Sequence, residues 1–144
     1  MRESGPWIDF LMLADRAEVV GGKLYMMGGG WEVLNLRSIA DVASFGIAVG
    51  ILVPWNATNT DHSLVLRMED ADGRETMRAQ AGFRTGRPPH IDQGAEQRVM
   101  FVIPVGIVFP SPGNYVVVGA IGEDERRVRL RVLISPNPGM QQQP

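Results

Sequence analysis

The stretch that decides the fold is Gly21-Gly22-Lys23-Leu24-Tyr25-Met26-Met27-Gly28-Gly29-Gly30-Trp31. A glycine pair between apolar runs is typical of a tight hairpin turn, because glycine readily adopts the positive φ angles that such turns require. The stretch therefore predicts a hairpin formed by Glu18–Val20 and Lys23–Met27. It supplies no reactive group, so it indicates architecture and not chemistry.

The glycine triplet that follows has two interpretations. A phosphate-binding loop needs a helix directly after its glycines, with free N-terminal amides facing the anion. Here Trp31–Leu36 follows, and its composition predicts a strand. We therefore expect Gly28-Gly29-Gly30 to permit a bulge or a crossing of the chain between two sheets.

Outward from this stretch, apolar residues recur at spacing two or in continuous blocks bounded by turn formers, and no helical period is found. The short connections favour antiparallel pairing. The pattern predicts an all-β fold, namely an antiparallel two-sheet β-sandwich, immunoglobulin-like, with eight or nine strands. Besides the hairpin, the predicted strands are Ile8–Ala14, Trp31–Leu36, Phe45–Val53, Ser63–Asp70, Arg74–Phe83, Gln97–Phe109, Tyr115–Ile121 and Glu125–Ile134.

The length of 144 residues fits one domain. We predict a single β-sandwich domain over residues 1–134 and a mobile tail, rich in proline and glutamine, over residues 135–144.

Composition excludes several classes of function. The chain has no cysteine, which rules out disulfides, thiol catalysis and thiolate metal sites. A net charge of −2 argues against a nucleic-acid partner. No apolar run is long enough to cross a bilayer, and the first residues do not resemble a signal peptide. We expect a cytoplasmic protein with no membrane insertion.

Catalytic and metal-binding motifs are not found. His62 and His90 lie in different loops without a second ligand at suitable spacing. Glu69–Gly73 resembles the start of a calcium loop, but the required acidic residues are missing and a hairpin turn fits better. We therefore expect no enzyme, no cofactor and no metal, although a hydrolase with carboxylates from distant loops stays an open alternative.

One loop is a candidate ligand site. It places Arg84, Arg87 and His90 on a segment stiffened by Pro88 and Pro89. Two guanidinium groups can clasp a carboxylate or a phosphate. The other interpretation is a loop held by surface ion pairs to neighbouring acidic residues.

The most informative functional feature is that three strands are apolar on both sides. An antiparallel strand with one wet side alternates apolar and polar residues. Phe45–Val53 instead carries Gly46, Ala48 and Gly50 on its second side, and the Val99–Ile103 and Tyr115–Ile121 segments are similar. Something should cover these sides: a loop, the N-terminal segment or another subunit. We expect a homo-oligomer or a subunit of an assembly, with Gly46, Ala48, Gly50 and Trp55 at the interface.

Several motifs also resemble a family of small, uncharacterised bacterial proteins. The most specific are Gly22-Lys23-Leu24-Tyr25 with Gly28-Gly29-Gly30-Trp31, and Gly86-Arg87-Pro88-Pro89. The resemblance spans most of residues 10–134 and implies a bacterial β-sandwich without an established activity. Pro112-Gly113-Asn114-Tyr115 also resembles the tyrosine corner of immunoglobulin-like sandwiches.

These observations favour a non-enzymatic structural or protein-binding module that self-associates, or joins a larger assembly, through an apolar sheet face. The alternative is a protein that binds a small anion or another small ligand with the Arg84–Asp92 loop.

Overall fold

The computed structural model describes residues 5–135. These residues form nine strands, one short 3-10 turn at Trp55–Ala57 and no α-helix. The strands are β1 (Trp7–Val20), β2 (Lys23–Gly29), β3 (Val33–Leu36), β4 (Ala43–Val53), β5 (Asp61–Glu69), β6 (Glu75–Arg84), β7 (Gln97–Ile107), β8 (Gly113–Ile121) and β9 (Asp124–Ile134).

The strands form two sheets. Sheet A has the order β2-β1-β4-β7 and sheet B has the order β3-β9-β8-β5-β6. The predicted two-sheet β-sandwich is confirmed. The expectation of antiparallel pairing is wrong at one place, because β3 and β9 are parallel. These two strands are separated by most of the chain, so no short connection dictates their relative direction.

The core lies between the sheets and follows the period of two. On β4 the inward side chains Phe45, Ile47, Val49, Ile51 and Val53 are all buried. From sheet B they meet buried residues such as Leu64, Leu66, Met68, Val117 and Leu130.

β1 is a single strand of 14 residues, whereas the sequence predicted separate strands before and after Asp15. Its first half pairs with β4 as far as Ala14, and its second half pairs with β2 from Ala14 to Val20. Asp15 and Arg16, which follow the change of partner at Ala14, are polar and exposed. Such residues are expected where a strand extends beyond the sheet into water. We call this β1–β2 extension, residues 16–27, the arm.

The glycines act as predicted. Gly21 and Gly22 have φ angles of 58° and 76°, the combination that a tight primed turn needs. The chain then leaves sheet A after β2 and enters sheet B at β3, with the N–H of Gly30 donating to the carbonyl of Leu13 at 2.8 Å. The glycine triplet is therefore the crossing between the two sheets.

Side chains fasten both ends of the sandwich. The Tyr115 hydroxyl donates to the carbonyl oxygen of Ser111 at 2.6 Å, which confirms the tyrosine corner. At the start of β1, the N–H of Ile8 donates to the Asp124 carboxylate at 2.7 Å. The Arg126 guanidinium donates back to the Ile8 carbonyl at 2.9 Å, so β9 holds β1 across the edge of the two sheets.

The predicted tail lies almost wholly outside the described residues, which stop at position 135. Its first member, Ser135, is buried and donates its N–H to the carbonyl of Leu36 at 2.7 Å. This hydrogen bond continues the parallel β3–β9 pairing by one residue.

Candidate functional site

The outer side of β4 is covered by its neighbours in sheet A. Gly50 lies between Phe10 of β1 and Met100 of β7, and Ala48 lies between Met12 and Val102. Ala48 is 0% exposed, and Gly46 and Gly50 are also buried. The small residues thus leave space on the outer side of β4, and larger side chains of the adjacent strands fill it.

The backbone that comes close to Gly46 belongs to β1. An atom at the Cβ position of Gly46 would lie 3.8 Å from the Ala17 nitrogen and 3.9 Å from the Ala14 oxygen. β1 therefore bends over the outer side of β4 as it enters the arm. A loop, the N-terminal segment or another subunit was expected to cover this side of β4. The N-terminal strand β1 supplies much of that cover.

The outer side of β8 is covered in a different way. Val118 is fully buried but does not belong to the core between the sheets. Its cross-strand neighbours on the outer side are Arg67 of β5 and Arg127 of β9. The aliphatic parts of arginine side chains cover apolar surface while the charged ends stay in water.

A network of ion pairs holds this cover in place. The nitrogen–oxygen distances are 2.7 Å for Arg67–Glu69, 3.5 Å for Arg67–Glu125 and 3.0 Å for Arg127–Glu125. The hydrogen bond that Arg67 donates to the Glu69 carboxylate is the main cause of the raised pKa of Arg67. Arg127 of β9 is therefore engaged in ion pairs within the chain.

A groove runs between the arm and the far end of sheet A, with a volume of about 840 Å³. Its floor includes Gly46, and its β7 wall includes Val102 and Pro104. The opposite wall is formed by Asp15 and by the arm residues Arg16, Ala17, Glu18, Tyr25 and Met27. The groove thus combines apolar surface with charges of both signs.

The arm carries the largest exposed apolar side chains near this groove. Met27 is 70% exposed, and Tyr25 and Val20 are each 53% exposed. These residues lie on the side of the arm that continues the outer face of sheet A, because side chains alternate along a strand. We call this surface, formed by Val20, Tyr25, Met27 and the groove, the arm face.

The loop proposed as an anion site is held by contacts within the chain. Arg87 donates to the Thr58 hydroxyl at 2.6 Å and to the Trp55 carbonyl at 3.0 Å. Its Cζ lies 4.0 Å from the centroid of the Trp55 ring. Arg84 pairs with Asp61 at 3.1 Å, and His90 is exposed. Among the described residues, none of these hydrogen bonds or ion pairs joins the three side chains to one another.

The predicted interface residues also fall in two places. Gly46, Ala48 and Gly50 lie on the outer side of sheet A, whereas half-buried Trp55 lies in the 3-10 turn against Arg87. A partner on the outer side of sheet A would meet the side chains around the small residues more than the small residues themselves. That such a partner binds there stays a prediction.

Other titratable side chains have structural contacts. The His62 ring donates to the Ala57 carbonyl at 2.7 Å. Asp70 accepts the N–H groups of Asp72 and Arg74, which closes the β5–β6 hairpin as a turn. Within residues 5–135, no cluster of three or more acidic or histidine side chains is placed to hold a metal ion.

The arm face is the feature that sequence reasoning missed. The signal was present: after Lys23, β2 has no charged residue and no proline, although a strand at the edge of a sheet normally carries one or the other. What the sequence did not show is that β2 is an edge strand that lies beyond the main sandwich.

Comparison with known proteins identifies the family of the chain. Residues 9–133 match the family of unknown function DUF6941. The chain belongs to this family. No curated protein matches it. In the part of the chain that the structure describes, no helix is long and apolar enough to cross a membrane.

Two solved structures are similar to this chain. The C-terminal domain of wzt aligns over 92% of this chain and 75% of its own, with a TM-score of 0.55 and 11% identity. The CARDB domain of the PF1109 protein from Pyrococcus furiosus, solved with di-metal ions, covers 92% of this chain and 97% of its own. Its TM-score is 0.41 at 9% identity. At 11% identity, the likeness to the wzt domain concerns architecture alone.

Proposed function

We propose that the protein is a non-enzymatic binding module that self-associates through the outer side of sheet A. The observation that carries the proposal is the arm face. Tyr25 and Met27 are more than half exposed, whereas Phe10, Met12, Met100 and Val102 on the same side of the sheet are half-buried. Exposed aromatic and methionine side chains are enriched where proteins meet.

The character of the groove supports a protein partner. It is lined by both apolar residues and charges of opposite sign, Arg16 and Glu18 among them. Protein interfaces commonly combine an apolar centre with a polar rim. Among the described residues its lining includes no histidine, and its two carboxylates, Asp15 and Glu18, both lie on the side of the arm.

Capture of an anion by the Arg84–Asp92 loop has weaker support. Both guanidinium groups already bind groups of the chain, Arg84 through Asp61 and Arg87 through Trp55 and Thr58. An anion clasped by both arginines would have to bind the remaining N–H groups of guanidinium groups that these contacts already orient.

The proposal places the protein in the bacterial cytoplasm. The family resemblance suggests the bacterial source, and a chain without cysteine suits a reducing compartment. Fractionation of the native host with an antibody against the protein tests this part, since recovery in the periplasmic or secreted fraction would contradict it.

Paired surface variants test the function. We expect Tyr25→Ser combined with Met27→Ser to raise the dissociation constant of the oligomer by about tenfold or more, because anchor side chains carry most of the binding energy. The control is Val33→Ser with Leu133→Ser, two exposed apolar residues of sheet B at 46% and 36% exposure. Sedimentation velocity measures the dissociation constants of both double variants. Equal effects of the two pairs would contradict a role of the arm face.

A further inference from the structure

The edge of β2 gives the self-association a definite geometry, and this inference rests on the proposed function. The strand orders of the two sheets end at four edges, formed by β2 and β7 in sheet A and by β3 and β6 in sheet B. The arm half of β1 is also unpaired on the side of β4, and it carries the charges of Arg16 and Glu18. An unprotected edge offers a row of N–H and C=O groups to any strand that aligns with it. Natural sheets protect such edges with charges, proline, short strands or covering loops.

Three of the four edges are protected. β6 exposes Glu75, Arg78 and Arg84. β7 contains Pro104, and its start is bound by the preceding loop through Gln97, which donates to the Gly86 carbonyl at 2.8 Å. β3 has only four residues.

β2 has none of these protections along most of its length. Of its seven residues, only Lys23, at one end, is charged. The next four, Leu24 to Met27, are large and apolar, and the strand has no proline. Its paired neighbour on one side is β1, and it ends the order of sheet A on the other.

The hairpin turn decides which backbone groups face outward. Val20 and Lys23 flank a two-residue turn, so they form a hydrogen-bonded pair. Hydrogen-bonded pairs alternate along an antiparallel ladder. Tyr25 and Met27 therefore bond to β1, while Leu24 and Met26 point their N–H and C=O groups to the free edge.

We infer that two copies of this chain pair antiparallel along β2, with Met26 opposite Met26 of the second copy. Residues 23–29 have their midpoint at Met26, so this register alone overlaps the whole strand. It also joins the outward N–H and C=O groups of the two Met26 residues in a reciprocal pair.

The same register brings the exposed side chains together. Tyr25 lies opposite the second copy's Met27, and by symmetry Met27 lies opposite the second copy's Tyr25. Sulfur–aromatic contacts of this kind are favourable. Tyr25 and Met27, the exposed side chains that β2 contributes to the arm face, then contact each other between the two copies, so the strand pairing and the proposed face belong to a single interface.

Charge does not oppose this pairing. Lys23 lies opposite the second copy's Gly29, which places the two ammonium groups at opposite ends of the strand pair. On β1, the next strand inward, Glu18 is paired with Tyr25 and Arg16 with Met27. A row of side chains across the four strands therefore runs from Glu18 through Tyr25 to Met27 and Arg16 of the second copy. Each such row ends in one acidic and one basic side chain. A second copy consequently suits this edge.

Cysteine cross-linking tests the register, because the natural chain has no cysteine. Met26→Cys should form a dimer disulfide under mild oxidation, since Cα atoms of a hydrogen-bonded pair lie about 5.5 Å apart, within the range of a disulfide. Tyr25→Cys mixed with Met27→Cys should also cross-link, at about 4.5 Å. Tyr25→Cys alone should not, because its two copies lie about 8 Å apart in this register.

Arg78→Cys, on the exposed edge of β6, is the control for random collision. Cross-linking of Met26→Cys and of the mixture, above this control, supports the inference. Equal cross-linking of all variants, or none in a solution that light scattering shows to be dimeric, overturns the inference and leaves the self-association of the proposed function intact. A monomeric mass at every concentration overturns both.

A backbone variant gives a second measurement. Met26→Pro removes an N–H that points to the free edge and leaves the β1–β2 hydrogen bonds in place. We expect it to raise the dimer dissociation constant by about tenfold or more, whereas Met26→Ala keeps the N–H and changes it less. Equal constants for the two variants, at similar thermal midpoints, would contradict pairing along β2.

Discussion

The ring of Phe10 on β1 lies across Gly50 on β4, so closely that a Cβ atom at position 50 would overlap the ring. Farther along the same side of the strand, Gly46 has space: its nearest side-chain neighbour would be Val102 Cγ1 at 3.6 Å. Two glycines that look equivalent in the sequence therefore have different roles in the cover of this sheet.

Gly50→Ala should destabilise the fold by about 1–3 kcal/mol, the usual cost of overpacking, because the Phe10 ring must move. Gly46→Ala is the matched control and should be close to neutral, since its methyl group makes ordinary contacts. Urea unfolding measures both. Phe10→Leu should reduce the cost of Gly50→Ala, and an equal cost with and without Phe10 would contradict the packing described here.

Arg67 should stabilise sheet B mainly through the part of its side chain that covers Val118. We expect Arg67→Ala to lower the free energy of unfolding by about 1–2 kcal/mol and Arg67→Met, which keeps the apolar stem, to lower it less. Thermal unfolding of the two variants makes the comparison. If Arg67→Met lowers the free energy of unfolding as much as Arg67→Ala, then Arg67 stabilises the sheet through its ion pairs and not through its cover of Val118.

The raised pKa of Arg67 determines how the contribution of this residue to stability changes with pH. A cationic group whose pKa is raised on folding stabilises the folded state at all pH values below its unfolded pKa and loses this effect only as pH rises through the folded value. The contribution of Arg67 should therefore stay constant from neutral to moderately alkaline pH. A difference in stability between wild type and Arg67→Met that varies across this range would contradict the prediction.

Arg87 should act as a fastener of its loop. Arg87→Ala removes two hydrogen bonds and the contact with the Trp55 ring, and we expect a loss of about 1–2 kcal/mol in unfolding free energy. Arg84→Ala is the control, because its ion pair with Asp61 is exposed and such pairs contribute about 0–1 kcal/mol. Stabilisation of wild type, but of neither variant, by phosphate or acetate in a thermal-shift assay would favour the anion site instead.

The sequence predicted features that depend on neighbours along the chain. The hairpins at Gly21-Gly22 and Asp72-Gly73, the sheet crossing at the glycine triplet and the tyrosine corner of Tyr115 are all local, and the structure contains each of them. Strand positions follow from the period of two, which is also a local signal.

Features that depend on distant residues could not be predicted. The parallel pairing of β3 with β9 joins segments about 100 residues apart. Arg87 finds Trp55 across 32 positions of sequence, and nothing in either residue indicates the other. The covering of Val118 needs Arg67 and Arg127 from two different strands. The bend of β1 over Gly46, which creates the groove, is likewise decided by tertiary packing.

Amide hydrogen exchange as a function of protein concentration tests most directly whether the arm is where the chain self-associates. Residue-resolved exchange is measured at a low and at a high concentration of the unaltered protein. We predict slower exchange of the Leu24 and Met26 amides at high concentration, because their free N–H groups become hydrogen-bonded between copies. Identical exchange of these amides at both concentrations, in a sample whose mass has doubled, would contradict this assignment.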